Sequence, residues 1–436
     1  LRNALADRLA GYGEEEPNTV FALFGGGRGD DDGSQSPLIV FDALGRLPEG
    51  LGIEIRDGVA ISPASGTAED HKKYDYEVLP AGTTFSIRVD LLVPVDAGEK
   101  LLVEALASAL NAFSHGGNAL GAKRSRGLGR VRATWAVRRF DLESSDGWMA
   151  WVRSDHADPI GVSPTQSCIR DVLNGAAPAE LTPLALLGDT RRRVVLDLEL
   201  ILTHDILVRS PGTEPEAPDV SHLSSGGKPV LPGTSLAGVM RAQATRIAKL
   251  VRSRQDDADR WIDRLFGPRF QGQRPPPGHQ LHASRVWVGE AIIEGARAQR
   301  QTRIAIDRFT QGVVPTALFD EQTEVGGRAV IRLELRNPAA GELGLILLVL
   351  KDLLGGRLPV GGTSSVGRGG MTGTATVTFH DGSGTPPRTA KLGPSRSPSG
   401  DAADEIVEAI RRFHEAPPLG KANTEGFSSV ETGEAS

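Results

Sequence analysis

The chain has 436 residues, 39% hydrophobic and 24% charged, with 53 glycines, 28 prolines and a formal net charge of −6. That is enough for two or three domains of the soluble, loop-rich kind, and the single cysteine, Cys168, excludes a disulfide framework or a multi-cysteine zinc site. The best apolar run, 343–354, is broken by Lys351 and Asp352, and no secretory signal is present, so no membrane span and a cytoplasmic location are expected. The net charge is not that of a nucleic-acid binder, yet it is uneven. Residues 401–436 hold eight acidic against three basic side chains, whereas 122–130, 190–194 and 296–303 are locally basic. Local clusters decide backbone binding more than the net does.

In chain order, residues 1–12 have the spacing of an amphipathic helix and 36–43 the β-branched and aromatic content of a strand. DGVAISP (57–63) precedes a polar loop, SGTAEDHKKYDYE; 84–95 alternate as a half-buried strand, and 99–113 return to helical periodicity. A glycine-rich loop then feeds a strand that closes a first domain, 1–140. Residues 141–192 lack a clear period and read as an inter-domain connection. From Arg193 the pattern restarts with VVLDLELILTHDILV, a loop, a capped helix, LFGP, a proline-rich loop and HASRVWVGEAII. QTRIAIDRF, FDEQTEVGGRAVIRLEL, the helix LGLILLVLKDLLGG and LPVGGTSSVGRGGMTGTATVTF complete a second domain, 193–380. Beyond it, Ser, Pro, Gly and charge predict a disordered acidic tail, 381–436, with one short helix at ADEIVEAIRRFHE.

The two domains are one unit repeated. MRAQATRIA at 240 matches LRNALADRLA at 1, RLFGP matches FALFGG, SRVWV matches SPLIVF, and 321–335 align with 77–91 without a gap. GGTSSVGRGGM at 361 lies 240 residues after GAKRSRGLGRV at 121. A repeat this long means tandem domains, and the β-α-β-β-α-β order suggests a ferredoxin-like α+β core in each. The second unit has about 47 residues ahead of its helix, 193–239, with no counterpart before Leu1. Either the sequence begins part-way through the first unit or that unit has lost its first strand and loop; an unpaired core sheet is costly, which favours the first.

Chemistry concentrates in KPVLPGTSLAGVMR, 228–241. Pro232-Gly233 suits a tight turn, Thr234 and Ser235 stand where a helix N-cap belongs, and Leu236, Val239, Met240, Ala244 and Ile247 follow at helical spacing. Free N–H groups, hydroxyls and a glycine there make a phosphate site; a capped helix packed on a sheet explains the same residues equally. The matching glycine loop favours the anion reading, because Lys123, Arg124, Arg126 and Arg130 surround Gly121, Gly127 and Gly129. Its second copy, with Gly361, Gly362, Thr363 and Ser364, carries only Arg368 and should grip less. Asp219, just before the turn, can hold a divalent metal or orient a 2′-hydroxyl, or is an ordinary Asx-turn residue. His204, His222 and His282 show no triad or metal spacing, and Asp307 with Arg308 caps a strand or reaches a partner.

LPGTSLAGVMR with a following LFG, SRVWV, IAIDR and the terminal GGTSSVGRGG resemble the RAMP superfamily of CRISPR-associated proteins, and more narrowly the backbone subunits of type III interference complexes. The resemblance covers nearly all of residues 1–380 in two copies. It implies two tandem RRM-like palms on guide RNA, with a thumb-like hairpin kinking the guide–target duplex. By position Asp219 matches the residue that cleaves target RNA with a magnesium or manganese ion. The implied RNA contacts are Gly233, Thr234, Ser235 and Arg241, then Gly121, Lys123, Arg124, Arg126 and Gly127, then Gly361, Gly362, Thr363, Ser364 and Arg368. Implied partners are guide RNA, complementary target RNA and other subunits of the effector. The alternatives are a non-catalytic RNA-binding scaffold of the same complex and a stand-alone guide-processing endoribonuclease that uses a histidine.

Overall fold

The computed structural model describes residues 1–417 except 28–32, 63–66, 96–97, 115–118, 157, 159, 162, 212–216, 252–254, 269–281 and 395–396. The first unit holds α1 (Arg2–Ala10), α2 (Asn18–Phe24), β1 (Leu38–Val40), β2 (Gly45–Arg46), β3 (Glu54–Ile61), β4 (Ala68–Val78), β5 (Thr84–Phe85), β6 (Val89–Leu91) and α3 (Glu99–Ser114). A single 3-10 turn, Arg124–Arg126, then α4 (Ser145–Arg153) and α5 (Ile169–Ala176) follow. The second unit opens with β7 (Arg193–Leu202), β8 (Arg209–Pro211), β9 (Val220–His222), β10 (Ser224–Ser225), β11 (Lys228–Leu231), α6 (Gly233–Val251) and α7 (Gln255–Phe266). It continues through β12 (Val286–Val288), β13 (Ala291–Glu294), β14 (Arg297–Ile306), β15 (Val313–Val325), β16 (Arg328–Arg336) and α8 (Glu342–Leu354). A second 3-10 turn, Ser364–Val366, leads to β17 (Met371–His380), β18 (Arg388–Leu392) and α9 (Ala403–Glu415). The chain is therefore α+β.

Strand alternation builds the second unit's core. In β7 the even-numbered residues are buried, and in β16 every second residue is. The sheet runs β10-β11-β13-β16-β7-β17-β18, with β12 also on β16, and the register sets Leu196 opposite Leu333 and Val377. These side chains pack with Leu236, Met240 and Ala244 of α6 and Leu345, Leu350 and Leu354 of α8. Each fully buried leucine contributes about 1.5–3 kcal/mol. The odd-numbered face of β7, carrying Arg193, Val195 and Asp197, points away from this core.

The region read as a disordered tail is ordered through residue 415. β18 pairs with β17, and α9 lies along α8 with Ile406 and Phe413 buried. Phe413 meets Trp261 edge-on at 5.4 Å, and Gly344 faces the Ala409 carbonyl so closely that a Cβ there would collide with it. The physical cause is α8 itself: it is apolar on nearly every side, so its outer face needs a cover, and α9 supplies an apolar stripe. Residues 418–436 lie outside the described residues. The connection 141–192 is likewise partly core, because Ile169, Leu173 and Leu184 pack with Leu102, Leu106 and Leu110 of α3.

Two further differences have backbone causes. SGTAEDHKKYDYE, read as a loop, is largely β4, paired along β3 in a projecting hairpin. Both faces of β4 meet solvent, so no apolar alternation marks it. Conversely, 84–95 yield only β5 and β6, and 131–140, aligned with β17, keep one isolated bridge from Trp135 to Gln166. Among the described residues no strand of the first unit stands where β7 stands in the second. Without that central partner the flanking backbone has no ladder to join.

Candidate nucleic-acid interface

The loop 121–130 of the first unit is seated on the second unit, against the N-terminal turn of α6 and against β12. A Cβ on Gly233 would collide with the Arg126 carbonyl and come within 2.5 Å of that of Val288. Gly127, at φ +89°, faces the Glu290 backbone so closely that only glycine fits. The Arg126 guanidinium donates to the Val286 carbonyl at 3.3 Å and lies 3.5 Å from the Ser284 hydroxyl, and burial pulls its pKa down. Beside it the buried Arg56 of β3 forks onto Glu290 at 2.6 and 3.1 Å. The Ser225 hydroxyl and Gly226 N–H donate to Glu54 at 3.1 and 2.8 Å. The glycine loop and the helix N-terminus, found separately in the sequence, thus form one seam between the units.

The helix begins earlier than its hydroxyls suggest. Leu236 N–H donates to the Pro232 carbonyl at 3.1 Å, so Pro232 is the cap and Thr234 and Ser235 fall in the first turn. Both are half-buried at the seam, where first-turn N–H groups lack intrahelical partners. On the loop, Lys123 adopts a left-handed backbone at φ 54° and sets its ammonium 3.7 Å from the Tyr76 ring centroid and 4.5 Å from that of Tyr74. The two rings stack with centroids 6.1 Å apart. Gly121 and Arg124 are exposed. Sequence reading missed the tyrosines; the i, i+2 aromatic spacing of YDY was their signal, hidden because the segment was read as a loop.

The second copy of the loop keeps the backbone and drops the charge. Thr363 has φ 54° and Gly367 φ 92°, close to Lys123 and Gly127, but Thr363, Ser364 and Val366 replace Lys123, Arg124 and Arg126. Gly362 N–H donates to Leu207 O at 2.7 Å, and a Cβ on Gly361 would stand 2.7 Å from the same oxygen. Arg368, expected on RNA, is instead 2% exposed and fully engaged. It donates to Asp205 at 2.9 Å, Glu321 at 2.8 Å, Thr363 at 3.1 Å and Gln301 at 2.8 Å. Arg241 points into its own unit, donating to Gly267 O at 2.7 Å and Asp263 at 2.8 Å.

Asp219 is exposed and immediately precedes β9, which joins β15 in parallel with Val220 opposite Glu321. Its carboxylate accepts from the Asp320 N–H at 2.9 Å, which fixes it beside the β14–β15 hairpin about midway along its strands. Asp320 itself accepts from Arg300 and Thr302, both at 2.6 Å. Among the described residues no group of three or more His, Cys, Asp or Glu converges. Asp219 is a lone exposed carboxylate there, and magnesium-type ions take one or two protein carboxylates with water and phosphate in the remaining positions. His222 is buried: its Nδ1 accepts from Val208 N–H at 3.1 Å and its Nε2 donates to Val230 O at 2.9 Å. Burial lowers its pKa to about 4, so it is a neutral cross-link between segments rather than an acid–base group. His204 contacts the Thr203 hydroxyl at 3.1 Å, and His282 approaches the Ala283 carbonyl at 3.5 Å. Asp307 accepts from the N–H groups of Thr310 and Phe309 at the hairpin tip, which holds its carboxyl below the usual range.

The family comparison likewise falls into two regions, one in each unit. The model of the RAMP superfamily matches residues 1–132 and 201–372, more than half of the chain. The chain belongs to the RAMP superfamily, which is associated with CRISPR complexes. No curated protein matches it significantly. Among the described residues no helix is long and apolar enough to cross a membrane.

Proposed function

We propose that this chain is a tandem backbone subunit of a type III CRISPR ribonucleoprotein, which holds guide RNA along the seam between its units and acts on paired target RNA at Asp219. The observation that carries the reading is the seating of a cationic glycine loop of one unit on the N-terminal turn of the other unit's long helix. Lys123 and Arg124 supply charge to phosphates, Thr234 and Ser235 supply hydroxyl and N–H donors, and Tyr74 and Tyr76 offer faces for bases. A ferredoxin-like palm in the second unit is supported by the β17-β7-β16-β13 order with α6 and α8 against one face. The β3–β4 and β14–β15 hairpins have the form expected of thumbs. When bound, a magnesium or manganese ion would neutralise charge on the cleaved phosphate. Asp219 would lend it one carboxylate oxygen while the Asp320 N–H keeps that carboxylate oriented.

The test is target-RNA cleavage by the assembled complex with magnesium or manganese, wild type against Asp219→Ala. Loss of one cut, with assembly and the other cuts intact, is expected. An unchanged pattern moves the nuclease elsewhere and leaves the chain an RNA-binding scaffold.

A further inference from the structure

Between the units lies a cavity of about 430 Å³, walled by the coreless face of β7, β16 and β17 and by the first unit. Two of the basic clusters seen in the sequence, 122–130 and 190–194, meet there. One carboxylate, Asp189, is shared by Arg191 at 2.6 Å, Arg193 at 3.3 Å and Arg8 at 3.6 Å. On the sheet, Arg332 pairs with Asp197 at 2.7 Å and Arg336 with Glu334 at 2.8 Å. Arg124 and Arg130 enter from the glycine loop. The lining therefore sets seven arginines against Asp189, Asp197 and Glu334, a surplus of four positive charges.

A surplus of this size gathered in one cleft favours an anion. Its own members feel the field. His380 is held below its ordinary range by burial first and then by Arg193. Arg8 is lowered by burial and, after a partial offset from Asp189, by Arg191 and Arg193. The cavity also has a flat element, the Trp287 ring in its lining, held by the Arg336 guanidinium, which lies 3.5 Å from the Trp287 centroid and 5.0 Å from that of Tyr12; aromatic faces of this kind accept stacked bases. The volume falls within the range of about 300–1,000 Å³ typical of ligand clefts.

We propose that this cavity binds a phosphate-bearing nucleotide unit, its phosphate among Arg191, Arg193 and Arg332 and its base against the Arg336–Trp287 stack. If the unit belongs to a strand, the cavity is where RNA passes from one repeat to the next. That source rests on the RNA reading above; a free mononucleotide does not.

The experiment titrates the full chain with labelled single-stranded RNA and, separately, with adenosine 5′-monophosphate, using Arg332→Gln and Asp197→Asn. The two variants break the same ion pair from opposite ends, so a folding defect weakens binding in both. The cavity predicts opposite signs: Arg332→Gln weaker by about three- to tenfold with a salt slope shallower by about one, Asp197→Asn tighter by about threefold. This pattern with RNA identifies a strand, and with the mononucleotide alone a free nucleotide; either supports the site. Wild-type binding of both ligands by both variants, or weakening by both, overturns it. If Lys123→Ala weakens RNA binding while the cavity pair changes nothing, the RNA reading stands and the cavity proposal falls.

Discussion

Helix α6 contains two glycines that make opposite predictions. Neither Gly233 nor Gly238 has a positive φ, so helix propensity alone says that alanine at either stabilises by up to about 1 kcal/mol. At Gly238 nothing lies within 4 Å of the added Cβ, and that gain should appear in full. At Gly233 the Cβ meets two backbone carbonyls, Arg126 O from the other unit and Val288 O from the sheet, neither of which can swing aside. Overpacking of this kind costs about 1–3 kcal/mol, which cancels or reverses the propensity gain. Opening the seam relieves the Arg126 half of the clash, while the Val288 half strains the packing of α6 on β12 within the second unit. Gly233→Ala should therefore lower urea stability by roughly 1 kcal/mol, expose the 121–130 loop to limited proteolysis and weaken RNA binding. Gly238→Ala should stabilise and leave RNA binding unchanged. Equal stabilisation by both substitutions would refute the seam.

Three other outcomes follow from the same contacts. Arg56→Ala leaves Glu290 with its partner gone at a largely buried site, and should cost about 3–5 kcal/mol in chemical denaturation; a loss below about 1 kcal/mol would place the pair in solvent. His222 is neutral in the fold with a pKa of about 4 against an ordinary 6.5, so the unfolded chain takes up its proton first as pH falls. Its stabilisation is complete above pH 6.5 and is lost down to about pH 4, roughly 3 kcal/mol in all, a slope that His222→Gln should lack. Phe413→Ala removes the cover of α8 and the edge contact to Trp261, and should cost about 3–5 kcal/mol, whereas a truly disordered tail would tolerate it.

What was legible in the sequence followed regular periods. Helical spacing marked α1, α3, α6 and α8, and the register of GAKRSRGLGRV with GGTSSVGRGGM aligned two turns that share left-handed residues at Lys123 and Thr363. The α+β class came from the order of helices and strands in the repeat, and RAMP membership from the motifs LPGTSLAGVMR, SRVWV, IAIDR and GGTSSVGRGG. Periods fail where an element has no core to face: β4 projects into solvent and reads as a loop, while α9, rich in charge, hides its role behind Ile406 and Phe413. Arg368 was misjudged because its loop sequence looks exposed, and only the fold brings Asp205, Glu321 and Gln301 around it. The seam itself joins residues about a hundred positions apart in sequence, from Arg126 to Gly233, and no local pattern encodes that contact.

If RNA is held at the seam by the first unit's loop, removing that loop's charge should release it. Fluorescence anisotropy of a single-stranded RNA with the full chain, over a salt series, compares wild type with the Lys123→Ala, Arg124→Ala double variant. Affinity should fall about tenfold or more, with a log–log salt slope reduced by one to two as two phosphate contacts are lost. Unchanged affinity with an unchanged slope would contradict it.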